Sequence, residues 1–259
     1  MSKKNKGESG EILFKIKLVQ MRDNGESFNG IPIESVGYVR EYGHLTRGLE
    51  EVVVCSNDEL MKISGEMMID KAGVFDKADV YINKIGVSLK ATYGANSALI
   101  NHTNRFGFER VCHEVGTDIT ILDEIIDKYW ELRLIGELSE DVPNWNPNSP
   151  FREHKEYFRP ILEYFLFTGS GSKDSKHPAE YIIEFADPMD PGKWKVITKE
   201  EAIDKIWDKL VFSMRSNKGM PKNYNPDTYK GKGSNCIKRW VKLCDGEYKG
   251  ALHVRIKAN

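Results

Sequence analysis

Ala78-Asp79-Val80-Tyr81-Ile82-Asn83-Lys84-Ile85-Gly86-Val87-Ser88-Leu89-Lys90 alternates polar and apolar residues on both sides of a turn-prone centre. Period-two alternation marks a half-buried strand, and two such runs around Asn83–Gly86 predict a β-hairpin. Pairing Ile82 with Val87 sets Asp79 opposite Lys90 and Tyr81 opposite Ser88. Facing pairs share one side of a sheet. Asp79, Ser88 and Lys90 then converge on one face while Val80, Ile82, Val87 and Leu89 enter the core. A carboxylate and an ammonium on one rigid pleat are either a cross-strand ion pair or the start of a metal-dependent hydrolytic site.

Outward from the hairpin, the pattern predicts mixed elements without a regular βαβ rhythm. Glu11–Arg22 alternates in part and predicts a strand, as does Val52–Cys55. Ser56-Asn57-Asp58 offers an N-cap for a helix from Glu59 to about Lys71. Ser97–Glu114, Thr120–Glu137 and Glu200–Phe212 carry helical spacing. Phe151–Phe167 starts as a helix and ends in a strand-like Tyr164–Phe167, with further strands at Tyr181–Phe185 and Ala251–Ile256. The fold class expected is α+β, or an irregular α/β, around a mixed sheet flanked by helices. Residues 1–10 are expected to be disordered and 11–140 to form the core. Residues 141–259, beyond the proline- and asparagine-rich Asp141–Pro150, are expected to be the second half of that domain or a separate recognition lobe.

Composition narrows the chemistry. The 259 residues are 40% hydrophobic and 30% charged, with no apolar run long enough for a membrane span and a polar start unlike a signal peptide. A cytoplasmic protein without membrane contact is the expectation. Four cysteines lack CxxC spacing, which argues against zinc. No GxSxG elbow, HExxH helix or GxxxxGK[ST] loop is present. The net charge of −1 is uneven. Ser213–Asn259 holds eleven basic and three acidic residues, a balance of +8 that leaves −9 for the rest. Such a tail is either a polyanion-binding face or a solvated basic surface. Lys230, Lys232, Asn235, Lys238 and Arg239, interleaved with aromatics and glycines, are its candidate DNA contacts. Asn101, His102 and Arg105 are further candidates, set equally against a plain helix surface.

Phosphodiester cleavage by a hard cation needs carboxylates, a carbonyl oxygen and a nearby lysine. Asp79 and Lys90 supply two of these, and the Leu89 carbonyl between Ser88 and Lys90 is a candidate backbone ligand. A second carboxylate is wanted at 88, where serine stands; Glu66 is the first replacement considered, with Asp76, Glu50 and Glu51 behind it. The sequence of a helix with Glu66, a hairpin with Asp79 and Ser88-x-Lys90, and a helix from Ser97 resembles the core of PD-(D/E)xK nucleases. The chain length points to type II restriction endonucleases within them. The resemblance covers about Asp58–Glu114 and departs from the family at Lys77-Ala78, where proline is usual, and at Ser88. It implies a restriction-endonuclease-like core, Mg²⁺ held by Asp79, Leu89 and Glu66, catalysis by Asp79, Lys90, Glu66 and Ser88, double-stranded DNA as substrate, and a homodimer. A repair or recombination nuclease, or a non-catalytic DNA-binding protein, are the other readings.

Overall fold

The computed structural model describes residues 6–93, 98–216 and 219–257. In chain order, α1 (Lys6–Asp23) leads into the short strands β1 (Ser27–Phe28), β2 (Ile31–Pro32) and β3 (Val36–Gly37). The helices α2 (Leu49–Val53) and α3 (Asn57–Glu66) follow, then the hairpin β4 (Val80–Ile82) and β5 (Ile85–Ala91). Next come β6 (Ala98–Asn104), α4 (Arg105–Val115), α5 (Ile119–Leu134), β7 (Val142–Pro143) and α6 (Lys155–Glu163), whose end widens into a π-helix at Tyr164–Thr168. The chain continues through β8 (Tyr181–Phe185), β9 (Trp194–Thr198), α7 (Lys199–Ile206) and β10 (Leu210–Arg215). It closes with α8 (Ser234–Lys238), β11 (Lys242–Cys244), β12 (Glu247–Lys249) and β13 (Ala251–Ile256). The protein is a mixed α+β chain.

It forms two compact units, and each takes two stretches of sequence. The first is built from the described residues of Met1–Ala95 with Ser175–Lys199; the second from those of Asn96–Asp174 with Glu200–Asn259. The divisions therefore fall elsewhere than at 140/141. In the first unit a five-stranded mixed sheet runs β3-β4-β5-β8-β9. Its centre is parallel, β5 on β8 with Lys90 beside Glu184, and both flanks are antiparallel. The second unit holds an antiparallel sheet ordered β6-β13-β10-β7, with the core of helices α4, α5 and α6 around Phe108, Tyr129, Trp130, Phe158 and Trp240.

Several elements depart from the sequence expectation for identifiable reasons. Glu11–Arg22 is helical, as are residues 6–10, while residues 1–5 lie outside the described residues. In α1, Phe14, Lys15 and Ile16 are consecutive and almost fully buried. A helix buried on all sides has no polar face, so its apolar residues carry no 3.6-residue period. Val52–Val53 belongs to α2 rather than a strand, and α3 starts from a capping box between Ser56 and Glu59. Ala98–Asn104 is strand, because α4 begins only where the Asn104 side chain accepts from Gly107 N–H. Tyr164–Phe167 stays helical. Helix α7 stops at Ile206, and Leu210–Phe212 pairs with β13 and β7 instead of extending it.

A buried polar hub ties α4 and α5 to Trp240, just beyond α8. Arg105 places Nε 2.8 Å and Nη2 2.7 Å from the two carboxylate oxygens of Asp123, and Trp240 Nε1 donates to the same carboxylate at 2.7 Å. Breaking a buried pair leaves its partner charged and unpaired, which costs about 3–5 kcal/mol. Asp123→Ala is expected to lose that much in urea unfolding followed by tryptophan fluorescence, and Asp123→Asn, which keeps an acceptor for Trp240, to lose less.

Candidate active site

Asn83 and Lys84 alone form the hairpin turn, both with positive φ (50° and 69°). Two-residue turns of this kind match the twist of the flanking strands, so a four-residue turn is not needed. Ile82 pairs with Ile85 and Val80 with Val87, two residues away from the expected register. Asp79 consequently does not face Lys90, and Tyr81 faces Gly86 rather than Ser88. A shift of two preserves the alternation, and Val80, Val87 and Leu89 are buried as expected.

The alternation breaks at Asp79. Its N–H donates to Val87 O at 2.8 Å although Val80 is the ladder partner of Val87. Two consecutive residues opposite one make a β-bulge, which bends the strand and re-aims a side chain. Beyond it the arms part, and the N–H groups of Lys77 and Ala78 turn to His177 O. The Asp79 carboxylate fills the gap, with Oδ2 accepting from Leu89 N–H at 2.7 Å and from Ser88 Oγ at 3.2 Å. Leu89 thus meets Asp79 through its amide rather than its carbonyl. Oδ1 has no hydrogen-bond partner among the described residues.

Two lysines stand at this bulge. Lys90 follows Leu89 on β5, and Lys77 precedes the bulge; both are half-buried. Burial and the repulsion of Lys90 push the Lys77 ammonium down to about 8, against the pull of Asp79. Sequence spacing did not single out Lys77; the bulge and the parting of the arms place it here. Glu184 is the strand neighbour of Lys90 on β8. Asp76, a carboxylate considered for the shell, is engaged elsewhere: it accepts from the Tyr38 hydroxyl and from Ser175 Oγ at 3.3 Å. Burial would raise its carboxyl, but these hydrogen bonds prevail and hold it below the usual range.

Glu66 is not brought to Asp79 by any hydrogen bond or ion pair. It is exposed at the end of α3, 3.7 Å from Arg47. Glu50 and Glu51 lie in the first turn of α2. Asp70 Oδ2 is buried without a hydrogen-bond partner among the described residues, while Oδ1 stands 3.5 Å from Arg40 Nε. The Tyr42 hydroxyl is raised first by burial and then by the charges of Asp70 and Glu11, with Asp79 a lesser influence. Among the described residues no group of three or more His, Cys, Asp or Glu forms a ready metal site.

In the second unit the candidate DNA contacts separate into two sets. Arg105 spends its donors on Asp123, Glu109 and Cys236. His102 stacks on His253 with centroids 4.3 Å apart, and Asn101 is exposed on β6. Arg239 is forked onto Asp127, and Lys238 stands 3.5 Å from Asp227. Arg215, Lys249 and Arg255 meet Glu140, Asp141 and Asp245. Three acids outside the tail, Asp127, Glu140 and Asp141, therefore offset part of its +8, which already includes Asp227 and Asp245. Lys230, Lys232 and Asn235 remain exposed, Lys232 with its Nζ 5.5 Å over the Phe106 ring.

Comparison with protein-family models, with curated proteins and with solved structures finds no match to this chain. Among the described residues no helix is long and apolar enough to cross a membrane.

The bulge geometry gives Asp79 a structural duty. Asp79→Ala leaves the buried Leu89 N–H without an acceptor, at a cost of about 1–3 kcal/mol, whereas Asp79→Asn retains an oxygen there. Denaturant midpoints should fall clearly for the alanine variant and only slightly for the asparagine one.

Proposed function

We propose that this chain is a Mg²⁺-dependent, site-specific endonuclease of double-stranded DNA, of the type II restriction kind, working in the cytoplasm as a homodimer on a restriction-endonuclease-like core. The observation that carries the reading is the Asp79 bulge. There one carboxylate with an oxygen free of hydrogen bonds among the described residues meets a serine hydroxyl at the mouth of a hairpin in a mixed sheet, with Lys77 and Lys90 flanking it in the chain. Mg²⁺ is commonly held by one or two carboxylates, with water and substrate phosphate completing its octahedron. Asp79 Oδ1 suits that mode, and a closed protein cage is not required. The bound cation would supply an activated water and charge stabilisation at phosphorus.

The chain's own residues divide the remaining work. Leu89 N–H and Ser88 Oγ fix the Asp79 carboxylate by holding Oδ2, which leaves Oδ1 for the metal. Lys90 assists the attacking water and stabilises the developing negative charge. Asp70, whose buried Oδ2 lacks a hydrogen-bond partner, is taken in place of the exposed Glu66 as the carboxylate that makes up for Ser88. Lys230, Lys232 and Asn235 are the exposed groups free to meet phosphates.

The test is a digest of a sequenced plasmid with Mg²⁺ and with EDTA. Discrete fragments with Mg²⁺ alone are expected; a smear would mean a general nuclease, and intact plasmid would remove the proposal. Lys90→Ala and Asp79→Asn should each lower cleavage by two or more orders of magnitude, within the range general for such groups. Asp70→Asn should raise the Mg²⁺ concentration needed, while Glu66→Gln should leave it at the wild-type value.

The basic segment provides a separate measurement. Replacing Lys230 and Lys232 by alanine should reduce the slope of log affinity against log salt by about 2, since each phosphate contact contributes about 0.9. Replacing Lys238 and Arg239 should change that slope less, because both already have carboxylate partners.

A further inference from the structure

The edge strand β6 meets β13 through an irregular ladder. Leu252 pairs with Thr103 and Val254 with Ile100, so Asn101 and His102 together stand opposite His253 alone. Two residues against one make a β-bulge, and His102 sits in it with a φ of 51°. That left-handed backbone is uncommon for a residue with a side chain. The two imidazoles stack across the bulge, centroids 4.3 Å and planes 21° apart. Besides His102, the charged groups acting on His253 are Arg215 from β10, Arg255 from its own strand and Asp141, just before β7. Its Nδ1 is buried and has no hydrogen-bond partner among the described residues. A protonated imidazole donates from both nitrogens, so protonation would leave that N–H unsatisfied. Burial, then the charge of Arg215, hold His253 below the ordinary histidine value against the pull of the Ile100 backbone.

The same bulge seats the basic segment. Gly219 crosses it with a φ of 79°, so close that a β-carbon there would collide with the His102 carbonyl oxygen. Asn104 Nδ2 donates to Gly219 O beside this contact. At the far end the Gly233 backbone lies against the Phe106 ring, where a β-carbon would again collide. Lys230 and Lys232 stand between the two points.

We infer that the stacked His102–His253 pair is an acid-sensitive latch, holding the segment from Gly219 to Gly233 against β6 while both rings are neutral and releasing it when they take up protons. Two imidazolium rings in this stack repel each other. Arg215 and Arg255 add to the repulsion, and the opposing Asp141 is already shared by both arginines. The unfolded chain takes up a proton at His253 near the ordinary value of about 6.5, the folded chain only at lower pH. The latch therefore contributes its full stability above the ordinary value and loses it as pH falls through the folded one. Its effect on DNA rests on the assignment of phosphate contacts to this segment; the latch itself does not.

The experiment uses the full chain in EDTA at about pH 7.5 and about pH 5.5, on either side of an ordinary histidine. Amide hydrogen exchange, corrected for its intrinsic pH dependence, is followed in β6 and in residues 219–233. Wild type is compared with His253→Phe, which keeps a flat ring on His102 and cannot be protonated. Wild type should exchange at least about tenfold faster at the lower pH, within the limit of about tenfold per pH unit for each coupled proton. His253→Phe should stay protected at both. Equal protection of wild type at both pH values would overturn the proposal, as would an equal acid loss in the variant. Ring titration of the wild type by NMR makes the test independent of whether the variant folds. Protection should be lost as His253 takes up its proton, with a midpoint below about 6.5; a midpoint at or above that value would also overturn it. Affinity for a labelled duplex, read by anisotropy, should fall with the loss of protection in wild type and not in His253→Phe. A released segment with unchanged duplex affinity would keep the latch and remove the DNA contacts from this segment. Failure to cut DNA with Mg²⁺ would remove the nuclease reading alone.

Discussion

The parallel pairing of β5 with β8 is the constraint on which the rest of the chain depends. Antiparallel neighbours can be joined by two residues, as β4 and β5 are, but a parallel neighbour requires a crossover. Here the crossover from Ala91 to Tyr181 is no simple helix; it carries β6, α4, α5, β7 and α6 of the second unit. The second unit in turn is completed by β10 and β13 after the chain has returned to finish the first sheet. One register decision at the centre of a sheet thus interleaves two cores along the sequence.

At the same central strand, the bulge shows how one residue can serve structure and chemistry together. Leu89 N–H would lack a backbone acceptor where the arms part, and the Asp79 carboxylate supplies one. That bond spends one oxygen and orients the other. Ser88, the departure from an acidic residue at that position, donates to the same oxygen. A carboxylate at 88 would instead bring a second negative charge to within hydrogen-bonding distance of the first. The serine is therefore consistent with a site whose charge balance leans on lysines.

What could be read from the sequence follows from how local each cause is. The hairpin, a cap within Ser56–Asp58 and the α5 helix depend on neighbours in the chain, and their residues announced them. Helix α1 was hidden because it is surrounded: Phe14, Lys15 and Ile16 all face protein, so burial erased the periodicity. Lys15 illustrates this well, a lysine at 1% exposure held by Glu11 at 2.7 Å. The hairpin face survived a register error because the error was an even number of residues. Asp79, Ser88 and the placement of Lys90 on β5 were therefore legible, whereas Lys77 and Asp70 depend on the bulge and on loop packing that no spacing encodes. The charge of the tail was legible as a count but not as a surface, since Arg239 and Arg255 find Asp127 and Asp141 more than a hundred residues away in sequence.

The interleaving also has a consequence for how the chain is made. Translation proceeds at about 5–20 residues per second, so β5 waits several seconds for β8, about ninety residues behind it. Throughout that interval one edge of β5, with Val87 and Leu89 on its apolar side, has no strand to cover it. The nascent second unit is equally incomplete until β13 emerges. The half-synthesised chain thus carries an open strand edge that the finished fold covers.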